Sequence, residues 1–304
     1  MAMKRPIHVD GRQIELSNLD KVLWPMAGFT KGQMIDYYQR ISTVLLPHLR
    51  GRPLTLKRYP DGVDGEFFFE KRCPPYRPSW ISTCPLPSRR TAGKTINHCL
   101  AEDLPSLLWL ANLAVIEFHP LLGRCQRIDE PTAVAFDLDP GEPADIVDCC
   151  RVGLWIKEVL DDLGLASFAK TSGSKGLQLY VPLNTPHTYE ETKPFAHGIA
   201  RLLQSMHTDR VVERMTKALR TGKVLIDWSQ NDVTKTTVCA YSLRARELPT
   251  VSTPVRWHEV ETAARQGSAA LLQFQAPAVV DRVERLGDLF EPVLSMEQRL
   301  PRLP

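Results

Sequence analysis

Val134-Ala135-Phe136-Asp137-Leu138-Asp139-Pro140 sets two carboxylates two residues apart in a run that otherwise reads as a buried strand. Side chains at i and i+2 leave the same face of a strand, so Asp137 and Asp139 project together while Val134, Phe136 and Leu138 fill the other side. Two ionised carboxylates that close repel each other. A shared proton or a bound divalent cation offsets the repulsion, so fold and chemistry are both expected to centre here.

Working outward, helices and strands alternate. Downstream come a helix from about Ile146 to Leu163, a strand through Leu177 to Pro182, a helix from about Glu190 to His207 and a strand at Val224 to Trp228. Upstream, Thr30 and Gln33 form a capping-box pattern, and Ile35, Tyr38, Ile41, Leu45 and Leu49 recur at helical spacing until Gly51, which predicts one long helix. Pro53 to Tyr59 and Glu66 to Glu70 read as short strands, Pro74 to Pro87 as a Pro-rich loop, Leu104 to Ala111 as a helix and Val115 to His119 as a strand. Near the C-terminus Val279, Val280, Val283, Leu286 and Phe290 predict one apolar helix face, and Leu300 to Pro304 reads as a frayed tail or linker. Mixed elements of this kind indicate an α+β or α/β fold.

The 304 residues, 43% hydrophobic and 24% charged, suit a globular chain with a sizeable core. The N-terminus lacks the apolar segment of a signal peptide, and Asn112 and Glu117 interrupt the richest apolar run, so a cytoplasmic, non-membrane protein is expected. The seven cysteines are odd in number and none forms a Cys-x-x-Cys pair, so no disulfide framework or zinc site is signalled. A net charge of +3 does not announce nucleic-acid binding. Placement matters more, with basic residues gathered near Arg50 to Arg58, Arg72 to Arg90 and Arg210 to Arg246.

Asp227 is a third acid in an apolar run, following Val224-Leu225-Ile226. Three carboxylates meeting in space would hold two divalent ions for phosphoryl or nucleotidyl transfer. Ending an edge strand is the structural alternative for Asp227. Phosphatases of the haloacid dehalogenase type and glycosyltransferases also use Asp-x-Asp, although Pro140-Gly141 departs from the usual phosphatase continuation. Lys170 to Gly176 combines small residues, two glycines and lysines before an alternating strand, a turn able to aim N–H groups, a Ser hydroxyl and an ammonium at phosphate, although it lacks Walker spacing. Arg220, Lys223, Gln230, Lys235, Arg244 and Arg246 frame Asp227 with groups suited to phosphate. Lys57-Arg58 and Phe67-Phe68-Phe69-Glu70-Lys71 interleave cations with aromatics, as in a base-stacking platform, with one or two phenylalanines expected in the core.

Together these motifs resemble the polymerase domain of bacterial ATP-dependent DNA ligase D, of the archaeo-eukaryotic primase superfamily. The resemblance runs from about Ser17 to Pro254, through Ser17 to Leu23, Gly51-Arg-Pro53, Phe68 to Lys71, Ile116-Glu-Phe-His119, Phe136 to Glu142, Thr171 to Leu177, Gly222 to Asn231, Lys235-Thr-Thr237 and Tyr241 to Arg244. It implies an α+β primase-like fold with an RRM-like catalytic sheet and a second interlocked lobe, forming one polymerase domain over 1–304. About 1–130 would carry the 5′-phosphate and template contacts, and about 131–304 the catalysis.

The resemblance further implies that Asp137, Asp139 and Asp227 bind two divalent ions, manganese or magnesium. His119, Ser172, Lys175, Gln178, Gln230 and Arg244 would bind the nucleotide, and Phe68 and Phe69 would stack on template bases. Asn18, Lys21 and Lys31, supported by Lys71, would form a 5′-phosphate pocket, while Lys57, Arg58 and Arg220 would contact DNA. The implied activity adds ribo- or deoxyribonucleotides to 3′-hydroxyls at overhangs and 5′-phosphorylated gaps during non-homologous end joining. Ku and an ATP-dependent ligase activity, in the same longer chain or apart, are the implied partners, and the nucleoid the implied location. A quiet end-binding and synapsis module and a stand-alone primase are the alternatives. Gln178 departs from the family's usual His; it can donate a hydrogen bond but carries no positive charge.

Overall fold

Two units make up the computed structural model, which describes residues 4–88 and 94–301. The first comprises Met1–Leu121, Thr236–Val251 and Gln275–Gly287, and the second Leu122–Lys235, Ser252–Phe274 and Asp288–Pro304. The chain therefore returns twice to the first unit, where a single division near residue 130 is expected from the sequence. Arg89 and Arg90 of the basic stretch, and Arg302 to Pro304 of the tail, lie outside the described residues.

In the first unit β1 (Lys4–Val9) and β2 (Arg12–Ser17) form a hairpin. Its two-residue turn, Asp10-Gly11, has positive φ at both positions, which matches the right-handed twist of the strands. A second hairpin joins β3 (Val22–Trp24) to β4 (Phe29–Thr30). The Thr30/Gln33 capping box then starts α1 (Lys31–Arg40), with Gln33 N–H donating to Thr30 and the Gln33 side chain accepting from Thr30 N–H. The expected single helix is two, because the chain tightens at Ile41, whose carbonyl accepts from both Val44 and Leu45 before α2 (Ser42–Leu49) proceeds. The apolar row is buried as expected, Ile35, Tyr38, Ile41, Leu45 and Leu49 all lying in the core.

Next come β5 (Leu54–Arg58), β6 (Phe68–Glu70), β7 (Thr83–Pro87), β8 (Thr95–Cys99), α3 (Leu104–Asn112) and β9 (Val115–Pro120). An antiparallel sheet of order β6-β5-β9 pairs Lys57 with both Phe69 and Glu117. Part of the expected Pro-rich loop is the β7–β8 ladder. Cys73 is disulfide-bonded to Cys99, 26 residues away, and Cys73 N–H also donates to Asn97 O at 2.7 Å. This overturns the expectation of no disulfide. An odd cysteine count carries no information about which distant thiols a ladder brings together.

The second unit begins with β10 (Gly123–Arg124), β11 (Arg127–Pro131) and β12 (Ala133–Pro140), the acidic strand. It continues through α4 (Ile146–Asp162), β13 (Phe168–Thr171), β14 (Leu177–Pro182), α5 (Tyr189–Met206), β15 (Val211–Val212), β16 (Val224–Asp227), β17 (Pro254–Val255) and α6 (Trp257–Gln266). The six-stranded sheet has the order β15-β16-β12-β14-β13-β17, antiparallel except between β15 and β16. Period-2 alternation decides what each face does. Val134, Phe136 and Leu138, with Leu177, Leu179 and Val181, meet Cys149, Val152 and Ile156 of α4 and Phe195, Ile199 and Leu203 of α5 in one core. Truncating a fully buried side chain such as Phe136 to Ala there would cost about 3–5 kcal/mol. Asp145 caps α4 by accepting from Val147 and Asp148 N–H, fixing where the helix starts after the acidic strand.

Late in the chain α7 (Ala276–Leu286) belongs to the first unit and α8 (Pro292–Ser295) to the second. Val279 and Val280 are buried on α7, but the helix stops at Gly287, and Phe290 instead packs edge-on against Tyr180 in the second unit. The expected single apolar face is thus divided between units. Among the described residues no helix is long and apolar enough to cross a membrane.

Candidate active site

Strand register builds the site in the second unit. Lys170 pairs with Gln178, Gln178 with Asp137, and Asp137 with Asp227, so these side chains form one row across β13, β14, β12 and β16. The row lies on the face opposite the α4–α5 core, because each member alternates with a core residue. Gln178 Nε2 donates to Asp137 Oδ1 at 2.9 Å, and Gln178 Oε1 accepts from Lys170 Nζ at 2.5 Å. An ammonium only donates and a carboxylate only accepts, so this chemistry fixes the orientation of the amide. Lys170 is 1% exposed and also donates to Ser252 Oγ at 2.7 Å beneath the Tyr180 ring.

Asp137 is pushed up to about 7, first by burial and then by the charge of Asp139, with a smaller push from Asp227. The Gln178 hydrogen bond and Lys170 pull it down without balancing those effects. A site that raises a carboxyl this way is short of positive charge. Asp227 is held by its own following residues: its Oδ1 accepts from Ser229 N–H at 2.9 Å and Ser229 Oγ at 2.6 Å, and its Oδ2 from Gln230 Nε2 at 2.9 Å. Among the described residues no three His, Cys, Asp or Glu side chains are gathered into a ready-made ion cage. The donor set nonetheless suits a hard cation, since it consists of carboxylate oxygens and of Gln230, whose Nε2 donates to Asp227 and whose Oε1 is buried without a partner.

Asn231 positions this row. β16 ends at Asp227, so Ala135, two residues before Asp137, has no strand partner on that side. The buried Asn231 side chain supplies one, accepting from Ala135 N–H at 2.9 Å and donating to Ala135 O at 2.7 Å.

The turn from Ser172 to Gly176 closes on itself. Ser172 Oγ accepts from Ser174 and Gly176 N–H at 3.2 and 3.0 Å, and Ser172 N–H donates to Gly176 O at 2.9 Å. A Cβ at Gly176 would stand 2.1 Å from Leu138 O, so glycine is what lets the turn lie against the backbone between the two acids. Lys175 is exposed and paired with Glu142 at 2.6 Å. Arg220 donates to Met215 O at 2.5 Å, while its Nε is buried without a hydrogen-bond partner.

The first unit holds another cluster, gathered on Glu117. Its Oε2 accepts from His119 Nε2 at 2.8 Å and lies 3.3 Å from Arg244 Nε, and its Oε1 accepts from Ala245 N–H at 3.1 Å and lies 3.5 Å from Lys57 Nζ. Burial alone would raise the Glu117 carboxyl, but the His119 hydrogen bond and the charges of Arg244 and Lys57 together hold it below the usual carboxylate range. Burial lowers the His119 imidazole against the opposing pull of Glu117. The Phe67 and Phe69 rings lie 4.3 and 5.6 Å from Lys57 Nζ, and Phe69 meets the His119 ring edge-on. Phe67, Phe68 and Phe69 are all exposed, so none supplies the expected core residue. β6 is a short edge strand, and its neighbouring Phe68 and Phe69, which alternate between its two faces, are both exposed. Arg58 pairs with Glu70 at 2.8 Å and lies 5.1 Å from the Phe68 ring.

The β3–β4 hairpin gathers Asn18, Lys21 and Lys31. Asn18 adopts a left-handed φ of 55°, and its carbonyl accepts from Lys21 N–H, while Lys21 O accepts from Lys31 N–H. Lys31 is 4% exposed and donates to Ser17 O at 2.7 Å; burial, then Lys21 and Arg58, lowers its ammonium to about 8. Lys21 pairs with Asp61 at 2.7 Å, and Lys71 is exposed just after β6.

The expected residues therefore fall into two sets. Asp137, Asp139, Asp227, Ser172, Lys175, Gln178, Arg220 and Gln230 belong to the second unit; Asn18, Lys21, Lys31, Lys57, Arg58, Phe68, Phe69, Lys71, His119 and Arg244 belong to the first. Sequence reasoning passed over Lys170, Asn231 and Glu117 as site-builders. Glu117 carries the signal that marked Asp137, an acid inside a buried strand run.

A family model described as the LigD primase-polymerase domain matches residues 30–290. The multifunctional non-homologous end joining protein LigD of Mycolicibacterium smegmatis is 38% identical over 283 residues, covering 92% of this chain and 36% of that protein. The bifunctional non-homologous end joining protein LigD of Bacillus subtilis is 34% identical over 285 residues, covering 93% of this chain and 44% of that protein. The chain thus spans less than half the length of either relative. Among solved structures, the polymerase domain from Mycobacterium tuberculosis ligase D in complex with DNA superposes with a TM-score of 0.86 at 37% identity, covering 94% of this chain and 99% of that one.

Proposed function

The chain belongs to the family of LigD primase-polymerase domains, which are nucleotidyltransferases, and we propose that it extends 3′-hydroxyl ends at gaps and double-strand breaks in bacterial non-homologous end joining. Its substrates are ribo- and deoxyribonucleoside triphosphates and DNA carrying a 3′ overhang or a 5′-phosphorylated gap. Ku and an ATP-dependent ligase activity are its partners, and it works at the nucleoid.

The observation that carries this reading is the row on β12 and its neighbours. Asp137 and Asp139 project from one face, Asp227 stands opposite Asp137, and burial together with the charge of Asp139 raises Asp137 to about 7. Asp137 and Asp139 would hold divalent manganese or magnesium, and Asp227 would join them by exchanging its bonds from Ser229 and Gln230. Bound there, two such ions would supply Lewis-acid charge to a 3′-hydroxyl and to triphosphate oxygens.

The protein's own groups do the rest. Ser172, through its hydroxyl, with Lys175 released from Glu142, binds triphosphate oxygens, and Arg220 and Arg244 add guanidinium donors. Gln178 holds Asp137 in place, and Gln230 presents its unpartnered Oε1 beside Asp227. His119 meets the nucleotide. Phe68 and Phe69 stack on template bases, flanked by Lys57 and Arg58. Asn18, Lys21 and Lys31, with Lys71, take the downstream 5′-phosphate.

Incubation with a gapped, 5′-phosphorylated duplex, each nucleotide set and manganese or magnesium tests the reading. Extension is expected, with Asp137→Ala abolishing it while DNA binding persists. Tight binding without extension under every condition would establish the end-binding module instead.

A further inference from the structure

We propose that Glu117 is a positioning residue of the nucleotide-binding surface, whose buried carboxylate fixes His119 as the Nε2–H tautomer and holds Lys57 and Arg244 beside it. This rests on the reading that His119 and Arg244 meet the nucleotide, but its geometry stands by itself.

Glu117 and His119 leave the same face of β9 two residues apart, and Lys57 is the cross-strand partner of Glu117 on β5. Arg244 and Ala245 arrive from a segment more than a hundred residues downstream, so one side chain that is 2% exposed gathers groups from three stretches of chain. Every contact made by its two oxygens is with a donor or a cation. With Lys57 and Arg244 within ion-pair distance, the carboxylate stays ionised and can only accept, so the proton of the 2.8 Å contact must sit on His119 Nε2. That leaves Nδ1 as the acceptor. A neutral imidazole locked this way offers a lone pair to an O–H or N–H donor of the ligand, and the triphosphate charge is met by Lys57 and Arg244.

A purely structural contact would fix the same tautomer but would leave nucleotide affinity unmoved in a folded variant. Glu117→Gln keeps the shape but substitutes an amide whose NH2 faces donor-only neighbours, so at most one of its two acceptor positions survives. The loss of negative charge also makes the surface more positive, which by itself attracts a triphosphate. At about 0.3 M salt long-range attraction is screened, and the loss of arrangement decides the outcome.

The test is nitrogen-15 NMR of histidine-labelled protein at pH 7.5, with the His119 signals assigned by their absence in His119→Gln, together with calorimetric titration of magnesium-ATP at high salt. Wild type is expected to show the Nε2–H tautomer. Glu117→Gln is expected to show a tautomer mixture and an affinity on the order of tenfold weaker, as for one charge-assisted hydrogen bond. An Nδ1–H tautomer or an imidazolium in the wild type overturns the proposal whether or not the variant folds. An unchanged tautomer, or an unchanged affinity, in a folded Glu117→Gln overturns it as well. If wild type instead fails to extend a primer, the polymerase reading falls, while the tautomer measurement still judges Glu117.

Discussion

Replacing Asn231 tests how the acidic row is held. β16 stops opposite Asp137, and the Asn231 side chain stands in for the missing strand at Ala135 with bonds of 2.9 and 2.7 Å, plus a third to Trp228 O at 2.9 Å. Asn231→Ala leaves the buried N–H and C=O of Ala135 unpaired, at roughly 1–3 kcal/mol each, so a loss of about 3 kcal/mol is expected. Asn231→Asp should cost more, because its carboxylate can accept from Ala135 N–H but would set an oxygen against the carbonyls of Ala135 and Trp228. Urea denaturation of wild type and both variants, read by circular dichroism and tryptophan fluorescence, measures this. Mn2+ titration should weaken in parallel, since Asp137 lies two residues along the same strand. A loss below about 0.5 kcal/mol for Asn231→Ala, the range of an ordinary surface change, or an Asp variant as stable as wild type, would refute the claim that Asn231 completes the sheet.

Other outcomes follow from the same geometry. With Asp137 at about 7 in the metal-free protein, a cation must displace a proton below that pH, so Mn2+ affinity should fall about fivefold from pH 7 to pH 6; an affinity flat from pH 6 to 8 would contradict it. The same raised carboxyl means the folded state binds more protons than the unfolded one between about 4 and 7, so metal-free stability should decline as pH rises through that window, and added Mn2+ should reverse the decline. Lys31, lowered to about 8 by burial and then by Lys21 and Arg58, is charged below that pH, so the preference for a 5′-phosphorylated gap should weaken from pH 7 to pH 9. Lys31→Met should remove both the preference and its pH dependence; a preference that survives in the variant sinks the assignment. Gly176→Ala, whose Cβ would meet Leu138 O at 2.1 Å, should cost about 1–3 kcal/mol and weaken nucleotide binding more than tenfold, and an unchanged melting temperature and affinity would show that the turn can move away freely.

Features governed by local periodicity were legible in the sequence. The acidic strand, the α4 and α5 stripes and the Thr30 capping box all follow from residues a few positions apart. The hairpin at Asp10-Gly11 was equally local and could have been read from its turn pair between alternating apolar residues. The Cys73–Cys99 bond, the exposure of Phe67 and the departure of Phe290 from the α7 face depend on which distant segments pack together. No spacing encodes that.

The residue at position 178 illustrates the difference most sharply. From sequence, Gln in place of His removes a positive charge and weakens the grip on the triphosphate. Register places a fully buried ammonium, Lys170, next in the row, so the side chain at 178 must accept from a cation on one side and donate to Asp137 on the other. An amide does both at once and does not titrate, whereas a neutral imidazole does so only as one tautomer. The positive charge missing from Gln178 is therefore supplied one strand away. Its effect falls on the carboxylate that would hold the cation, so a defect from Gln178→Leu should appear first in Mn2+ affinity and in stability, with Lys170 stripped of its 2.5 Å acceptor. A variant that loses nucleotide affinity while binding Mn2+ as tightly as wild type would return Gln178 to the triphosphate and undo this assignment.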